Sequence, residues 1–119
     1  ELSGGMRQRL ALLRTFIIPR DTILLDEPFG SLDALTRHEM QQWLQQIWDK
    51  DRRTIILVTH DVDEAILLSD TIYILSERPG SIVQRVEINL ERPRKKKVIN
   101  SIEFTKIKSE IFQILGSEI

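Results

Sequence analysis

The stretch Ile23-Leu24-Leu25-Asp26-Glu27-Pro28 places three apolar residues directly before two adjacent carboxylates and ends in a proline. A short apolar run of this kind is typical of a buried strand in a parallel sheet. Such a strand would deliver Asp26 and Glu27 to the carboxyl edge of the sheet, which is where ligands bind in open α/β folds. Two acids at that edge lose hydration energy, so we expect a compensating group there. A magnesium ion with a phosphate would supply it.

Length and composition narrow the class of protein. The 119 residues fit one small domain or part of a larger one, and the first residue, Glu1, indicates a fragment of a longer chain. A net charge of −1 gives no overall field that would favour nucleic acid or lipid, and no nucleic-acid partner is expected. The absence of cysteine excludes disulfides and thiolate-bound zinc. No apolar run approaches the roughly 20 residues of a membrane-spanning helix.

Alternating helical and strand patterns predict an α/β fold with a largely parallel sheet. We expect helices over about 5–18, 34–50, 62–68 and from 100 onward, with strands over 22–26, 54–59, 71–75 and 81–88. In the first helix we expect an apolar stripe to be buried, formed by Met6, Leu10, Leu13 and Ile17. Residues 91–97 contain proline and many basic side chains, which indicates a solvated linker. Asn100 and Glu103 form the pattern of a capping box at the start of the last helix.

Ser3-Gly4-Gly5 precedes the first helix. Ser3 is a good N-cap, and the two glycines leave backbone N–H groups uncovered. Such a helix start favours phosphate through hydrogen bonds and the helix dipole. An ordinary capped helix is the alternative, and it is the more common meaning of Ser-Gly-Gly alone.

His60 follows the second predicted strand at the same sheet edge as Asp26 and Glu27. An imidazole there can hydrogen-bond a terminal phosphate and orient an attacking water molecule. A structural or solvated histidine is the alternative. Asp33 precedes the second helix, where we expect it to act as the N-cap.

Taken together, the motifs of this chain resemble the C-terminal part of an ABC-transporter ATPase subunit. They are LSGGMRQR at 2–9, DEPFGSLD at 26–33 and THD at 59–61. The Phe-Gly loop and SERPG at 76–80 are most similar to the nitrate/sulfonate/taurine importer branch. The resemblance implies a partial P-loop NTPase core over 1–90, a basic linker over 91–99 and a terminal helix over 100–119.

The resemblance also implies roles for individual residues. Asp26 would hold Mg2+, Glu27 would activate the attacking water, and His60 would contact the γ-phosphate of ATP. Ser3, Gly4 and Gly5, together with Asp33 of the D-loop, would contact a nucleotide held mainly by a second copy of the subunit. Met6 stands where the family most often has glutamine.

The implied whole protein is a cytoplasmic ATPase at the inner face of the membrane. It would pair with a second copy of itself and with transmembrane permease subunits, and indirectly with a solute-binding protein. The motifs do not identify the solute.

No G-x-x-x-x-G-K-S/T motif occurs in the chain. Because that loop cradles the β- and γ-phosphates, we expect the 119 residues alone not to hydrolyse ATP. In the resembled fold the strand before the loop also pairs with the strand before His60. We therefore expect an unpaired apolar edge and self-association of the isolated chain.

Two other functions remain open. Soluble ATPases of chromosome maintenance or DNA repair also join a Ser-Gly-Gly helix to an Asp-Glu strand, although the Pro-Phe-Gly loop argues for transport. A non-catalytic interaction module would keep the fold without turnover, but intact Glu27 and His60 argue against it.

Overall fold

The computed structural model describes residues 4–77 and 80–117. Ser3 and the pair Arg78-Pro79 therefore lie outside the described residues. The elements are α1 (Gly4–Ile17), β1 (Thr22–Asp26), α2 (Ala34–Asp51), β2 (Thr54–Val58), α3 (Val62–Leu68), β3 (Thr71–Leu75), β4 (Ile82–Glu87), a 3-10 helix (Lys96–Asn100) and α4 (Ile102–Ser117). Internal contacts divide the chain into a first unit, Glu1–His60, and a second unit, Asp61–Ile119. The predicted α/β class is confirmed.

In the first unit, β1 and β2 pair in parallel, with Thr22 opposite Thr54 and Asp26 opposite Val58. Ile23 and Leu25 are buried, which confirms one face of the predicted strand. The other face is exposed in the described chain, so the strand that the sequence predicts to be buried is buried on one face only. The exposed apolar side chains of the strand pair are Leu24 of β1 and Ile56 and Val58 of β2. Burial on both faces needs a layer of structure on each side of the sheet, and these residues have a layer on only one.

Helix α1 buries Leu12 and Phe16 rather than the predicted stripe. Met6, Leu10, Leu13 and Ile17 are all exposed. Gly5, Gln8, Leu12 and Phe16 recur at helical spacing on a second face, so α1 carries two candidate stripes. Close packing of Gly5 against Thr36 of α2 selects the second face.

Helix α2 is capped at both ends. The Asp33 carboxylate accepts a hydrogen bond from the Thr36 N–H at 2.8 Å, which confirms Asp33 as the N-cap. At the other end, Arg52 adopts a left-handed conformation (φ 58°), and its N–H donates to the Trp48 carbonyl. Met40 and Leu44 of α2 are buried.

The second unit is built on an antiparallel pair, β3 and β4. The expectation of a largely parallel sheet therefore holds for β1 and β2 and is wrong for these two strands. Only residues 76–81 separate the two strands, and a parallel pair would need a long crossover. Its core consists of Ile66, Ile74, Val86, Ile88, Phe104 and Ile111. Phe104 and Ile111 are the contribution of α4 to this core.

The start of α4 differs from the prediction by one residue. Ser101, not Asn100, is the cap, because its hydroxyl accepts a hydrogen bond from the Phe104 N–H at 3.2 Å. Asn100 ends the preceding 3-10 helix, and so it cannot take the extended conformation of an N-cap.

The basic segment before α4 is only partly solvated. Lys95, Lys96 and Lys97 are exposed as predicted, but Arg94 is 2% exposed. Its guanidinium donates to the carbonyls of Ile66 (2.9 Å) and Ser69 (2.5 Å) at the end of α3, and to those of Ile88 and Leu90 after β4. Desolvation by burial, with a smaller effect from Arg92, lowers the pKa of Arg94 to about 10, so it stays protonated at neutral pH. The prediction of a solvated linker is therefore wrong at Arg94.

None of the helices within residues 4–77 and 80–117 has the length and apolar character needed to cross a membrane.

Candidate functional site

The carboxyl edge of the β1–β2 sheet brings Glu27 and His60 together. His60 Nε2 lies 3.3 Å from Glu27 Oε1. The His60 side chain is almost fully exposed, whereas the Glu27 side chain is about one third exposed (96% and 37%). An imidazole and a carboxylate at a solvent-facing sheet edge are accessible to a ligand, and the less exposed Glu27 is the more firmly held of the two.

The backbone around Glu27 fixes its position. Its N–H donates to the Val58 carbonyl at 2.8 Å, which extends the β1–β2 ladder one residue beyond Asp26. Its φ of 50° lies in the left-handed region that non-glycine residues seldom adopt. The chain therefore turns sharply at Glu27 into the loop that begins with Pro28.

The Glu27 carboxylate has unused hydrogen-bonding capacity. Its Oε1 atom is buried and has no hydrogen-bond partner among the described residues, although the His60 ring is within ion-pair distance. Buried polar atoms without a hydrogen bond are uncommon and are found at functional sites. The adjacent Asp26 is exposed at the end of β1.

A second group of predicted residues lies where α1 begins. Gly4, Gly5, Ser31 and Asp33 line one cleft, together with Thr36 and other side chains of α1 and α2. The Thr36 N–H donates a hydrogen bond to the Asp33 carboxylate. This bond holds the pKa of Asp33 below its usual value. Asp26, Glu27 and His60 do not line this cleft. The predicted residues thus form two groups within the first unit.

Comparison with known proteins identifies the family. No protein-family model matches the chain. An ABC transporter ATP-binding protein of Methanocaldococcus jannaschii is 47% identical over the whole chain, and an aliphatic sulfonates import ATP-binding protein of Shouchella clausii is 48% identical over 97% of it. The chain belongs to the ABC-transporter ATP-binding protein family. It spans 43% and 45% of the length of these two relatives.

Solved structures of ABC ATPases agree with this assignment. The dimeric ABC transporter cassette MJ0796 matches 76% of the chain and 38% of its own length, with a TM-score of 0.61 and 31% identity. A second structure of that cassette, a post-hydrolysis state bound to ADP and phosphate, matches equally well. An SMC ATPase is 22% identical, with a TM-score of 0.52, and so shows only a shared fold.

Two further residues contact the loop between the two groups, which runs from Pro28 to Leu32. The sequence analysis did not single out either residue. Gln8 of α1 donates from Nε2 to the Pro28 carbonyl. Arg37 of α2 donates to the carbonyls of Phe29 and Leu32. Gln8 lies four positions before the buried Leu12, on the same face of α1. A polar residue on a buried helix face was the signal in the sequence that could have identified Gln8. Nothing in the sequence pattern distinguished Arg37 from other basic residues of the helices.

Proposed function

We propose that this chain is part of the ATP-hydrolysing subunit of an ABC importer. The observation that carries the proposal is the approach of His60 Nε2 to Glu27 Oε1, 3.3 Å apart at the carboxyl edge of a parallel strand pair. A carboxylate and an imidazole at such an edge can act together on a phosphate and a water molecule.

Glu27 is proposed as the general base. Its carboxylate can accept a proton from a water molecule that attacks the terminal phosphate of ATP. His60, almost fully exposed beside it, can donate a hydrogen bond to that phosphate. Because the Glu27 backbone is fixed by its bond to Val58, the carboxylate is placed before the nucleotide binds.

Asp26 is proposed to hold Mg2+. Magnesium prefers oxygen ligands and is often bound by one or two carboxylates, with phosphates and water completing its shell. Within the part of the chain that the structure describes, no group of three His, Cys, Asp or Glu residues could hold a metal alone. An exposed Asp26 beside the unsatisfied Oε1 of Glu27 fits a metal that arrives with a nucleotide. The ion would neutralise charge on the phosphates.

The cleft at the start of α1 is proposed to face a nucleotide bound mainly by a second copy. Gly4 and Gly5 offer helix N-terminal amides, and Asp33 lies across the same cleft. Ser3, outside the described residues, would complete this group. The division into two groups supports a head-to-tail dimer, in which each site takes one group from each subunit.

The proposed partners are a second ATPase subunit and transmembrane permease subunits at the cytoplasmic face of the membrane, with a solute-binding protein acting indirectly. Relatives carry different solute names: one is an aliphatic sulfonates import protein, and a 46% identical relative from Synechocystis is a bicarbonate transport protein. The importer class is therefore proposed without a named solute. That the 119 residues alone do not hydrolyse ATP stays a prediction.

The test uses the whole subunit that carries this chain, assayed for magnesium-dependent ATP hydrolysis. Glu27→Gln and His60→Ala should each lower turnover by about 100-fold or more, in the range by which positioned acid–base groups accelerate reactions. Glu103→Gln removes an exposed carboxylate from α4, and His38→Ala removes the only other histidine of the chain. Both controls should keep turnover close to that of the wild type.

Three outcomes would contradict the proposal. Glu27→Gln with wild-type turnover would remove Glu27 from the reaction. Stimulation of the wild type by DNA, but not by permease subunits in vesicles, would favour the DNA-maintenance class instead. A folded wild type that binds partners without turnover would favour the interaction module.

A further inference from the structure

The loop from Pro28 to Leu32 connects the two groups of site residues. It begins directly after Glu27 and ends directly before Asp33. Its internal hydrogen bonds are long: Gly30 N–H to the Glu27 carbonyl at 3.3 Å, and Leu32 N–H to the Phe29 carbonyl at 3.2 Å. Such bonds hold a loop weakly. Its conformation therefore depends on packing and hydrogen bonds from side chains outside the loop.

Arg37 supplies the outside contacts from α2. Its Nη2 donates to the Leu32 carbonyl at 2.8 Å, and its Nε donates to the Phe29 carbonyl at 3.3 Å. The guanidinium is planar and keeps its donors in a fixed fork, so one side chain contacts two points of the loop, closely at Leu32 and at longer range at Phe29. The Leu32 carbonyl belongs to the peptide that leads into Asp33, so the stronger bond acts next to that residue.

A second helix holds the other end of the loop. Gln8 of α1 donates to the Pro28 carbonyl, which belongs to the residue directly after Glu27. Phe29 between these points is fully buried. The loop is thus attached to α1 near Glu27 and to α2 near Asp33.

We propose that Arg37 is a positioning residue for ATP hydrolysis, which it supports by fixing the Pro28–Leu32 loop and hence the carboxylates on either side of it. The inference rests on the proposed function, because it assigns Arg37 to the same site. Arg37 touches neither nucleotide nor water in this role. It acts through the loop on Glu27 in its own site and on Asp33 in the neighbouring one.

The test compares Arg37→Ala, Arg37→Lys and Arg14→Ala in the whole subunit. Arg14 lies exposed on α1 and makes no hydrogen bond to the loop among the described residues, so it is the matched control. Arg37→Ala should lower kcat by about tenfold to 100-fold, the scale of a displacement near 1 Å. The KM for ATP should stay close to that of the wild type, because Arg37 does not contact the nucleotide and acts on the position of the Glu27 carboxylate. Arg37→Lys should recover part of kcat, since its ammonium keeps the charge and can donate to one carbonyl.

Hydrogen exchange gives a readout independent of activity. Backbone amides of residues 29–33 should exchange faster in Arg37→Ala than in the wild type, and at the wild-type rate in Arg14→Ala. The melting temperature of each variant separates a local change from general unfolding.

The outcomes are distinguishable. A lower kcat with unchanged KM, faster loop exchange and a retained melting transition supports the inference. Unchanged kcat, or a loss that follows only the fraction of unfolded protein, overturns it. A folded wild type without turnover would overturn the proposed function and the catalytic part of the inference, and unchanged loop exchange in Arg37→Ala would overturn the structural part.

Discussion

Gly5 of α1 and Thr36 of α2 approach so closely that a single methyl group should decide the sign of a stability change. A Cβ atom built on Gly5 would lie 3.0 Å from Thr36 Cγ2. Thr36 cannot easily move away, because its N–H donates a hydrogen bond to the Asp33 carboxylate at 2.8 Å. Gly5→Ala should therefore cause overpacking that costs about 1–3 kcal/mol. The better helix propensity of alanine offsets up to about 1 kcal/mol of this cost.

We therefore expect Gly5→Ala to lower the free energy of unfolding by up to about 2 kcal/mol, which is the overpacking cost of about 1–3 kcal/mol less the propensity gain of about 1 kcal/mol. Thr36→Ser removes the Cγ2 atom and keeps the hydroxyl. In the Thr36→Ser background, Gly5→Ala should be neutral or stabilising, because only the propensity gain remains. Urea denaturation of all four proteins, with m values compared, gives the coupling energy.

Gly116 of α4 provides the matched control. A Cβ added there meets nothing within 4 Å, so Gly116→Ala should stabilise by up to about 1 kcal/mol in either background. Equal costs of Gly5→Ala with threonine and with serine at position 36 would refute the argument. A Gly5→Ala protein more stable than the wild type would refute it as well.

Two further predictions concern Arg94, which donates to carbonyls at the end of α3, and Asp33, the N-cap of α2. Arg94→Ala should lower the free energy of unfolding in urea by about 2–6 kcal/mol, because the buried carbonyls of Ile66 and Ile88 lose their donors at about 1–3 kcal/mol each. Arg94→Met keeps an apolar stem and removes the donors, so a methionine variant as stable as the wild type would contradict this reasoning. Because the pKa of Asp33 is lower in the folded chain, its contribution to stability is present above the usual value of 3.8 and is lost as the pH falls through the folded value. The stability difference between wild type and Asp33→Asn, measured by urea denaturation from neutral to acid pH, should therefore shrink as the pH falls, and a constant difference would contradict the shift.

The sequence predicted the sheet edge well because the signals there are local. An apolar run that ends in Asp26-Glu27-Pro28 fixes where β1 stops, and parallel pairing with β2 then brings His60 alongside. The bounds predicted for α3 and β3 also agree with the structure, in which the Asp61 side chain caps the start of α3.

Features that depend on distant partners were not predictable in the same way. Helix α1 has two apolar faces, and only the close approach of Gly5 to Thr36 selects one. Arg94 resembles its solvated neighbours in the sequence. Its burial depends on carbonyl groups at the end of α3, more than 20 residues earlier. Arg37 likewise gains its role from a loop whose carbonyls point toward α2.

These observations converge on Glu27. A non-glycine residue at a φ of 50° costs about 1–3 kcal/mol, and such strain persists only where neighbouring structure enforces it. Here the enforcement comes from the ladder bond to Val58 and from a loop held by Gln8 and Arg37. A flexible loop would relax the strain and let the carboxylate move. The contacts that keep Glu27 strained are thus the contacts that keep it beside His60, and this is the basis for the proposal that Arg37 positions the site as well as stabilising the fold.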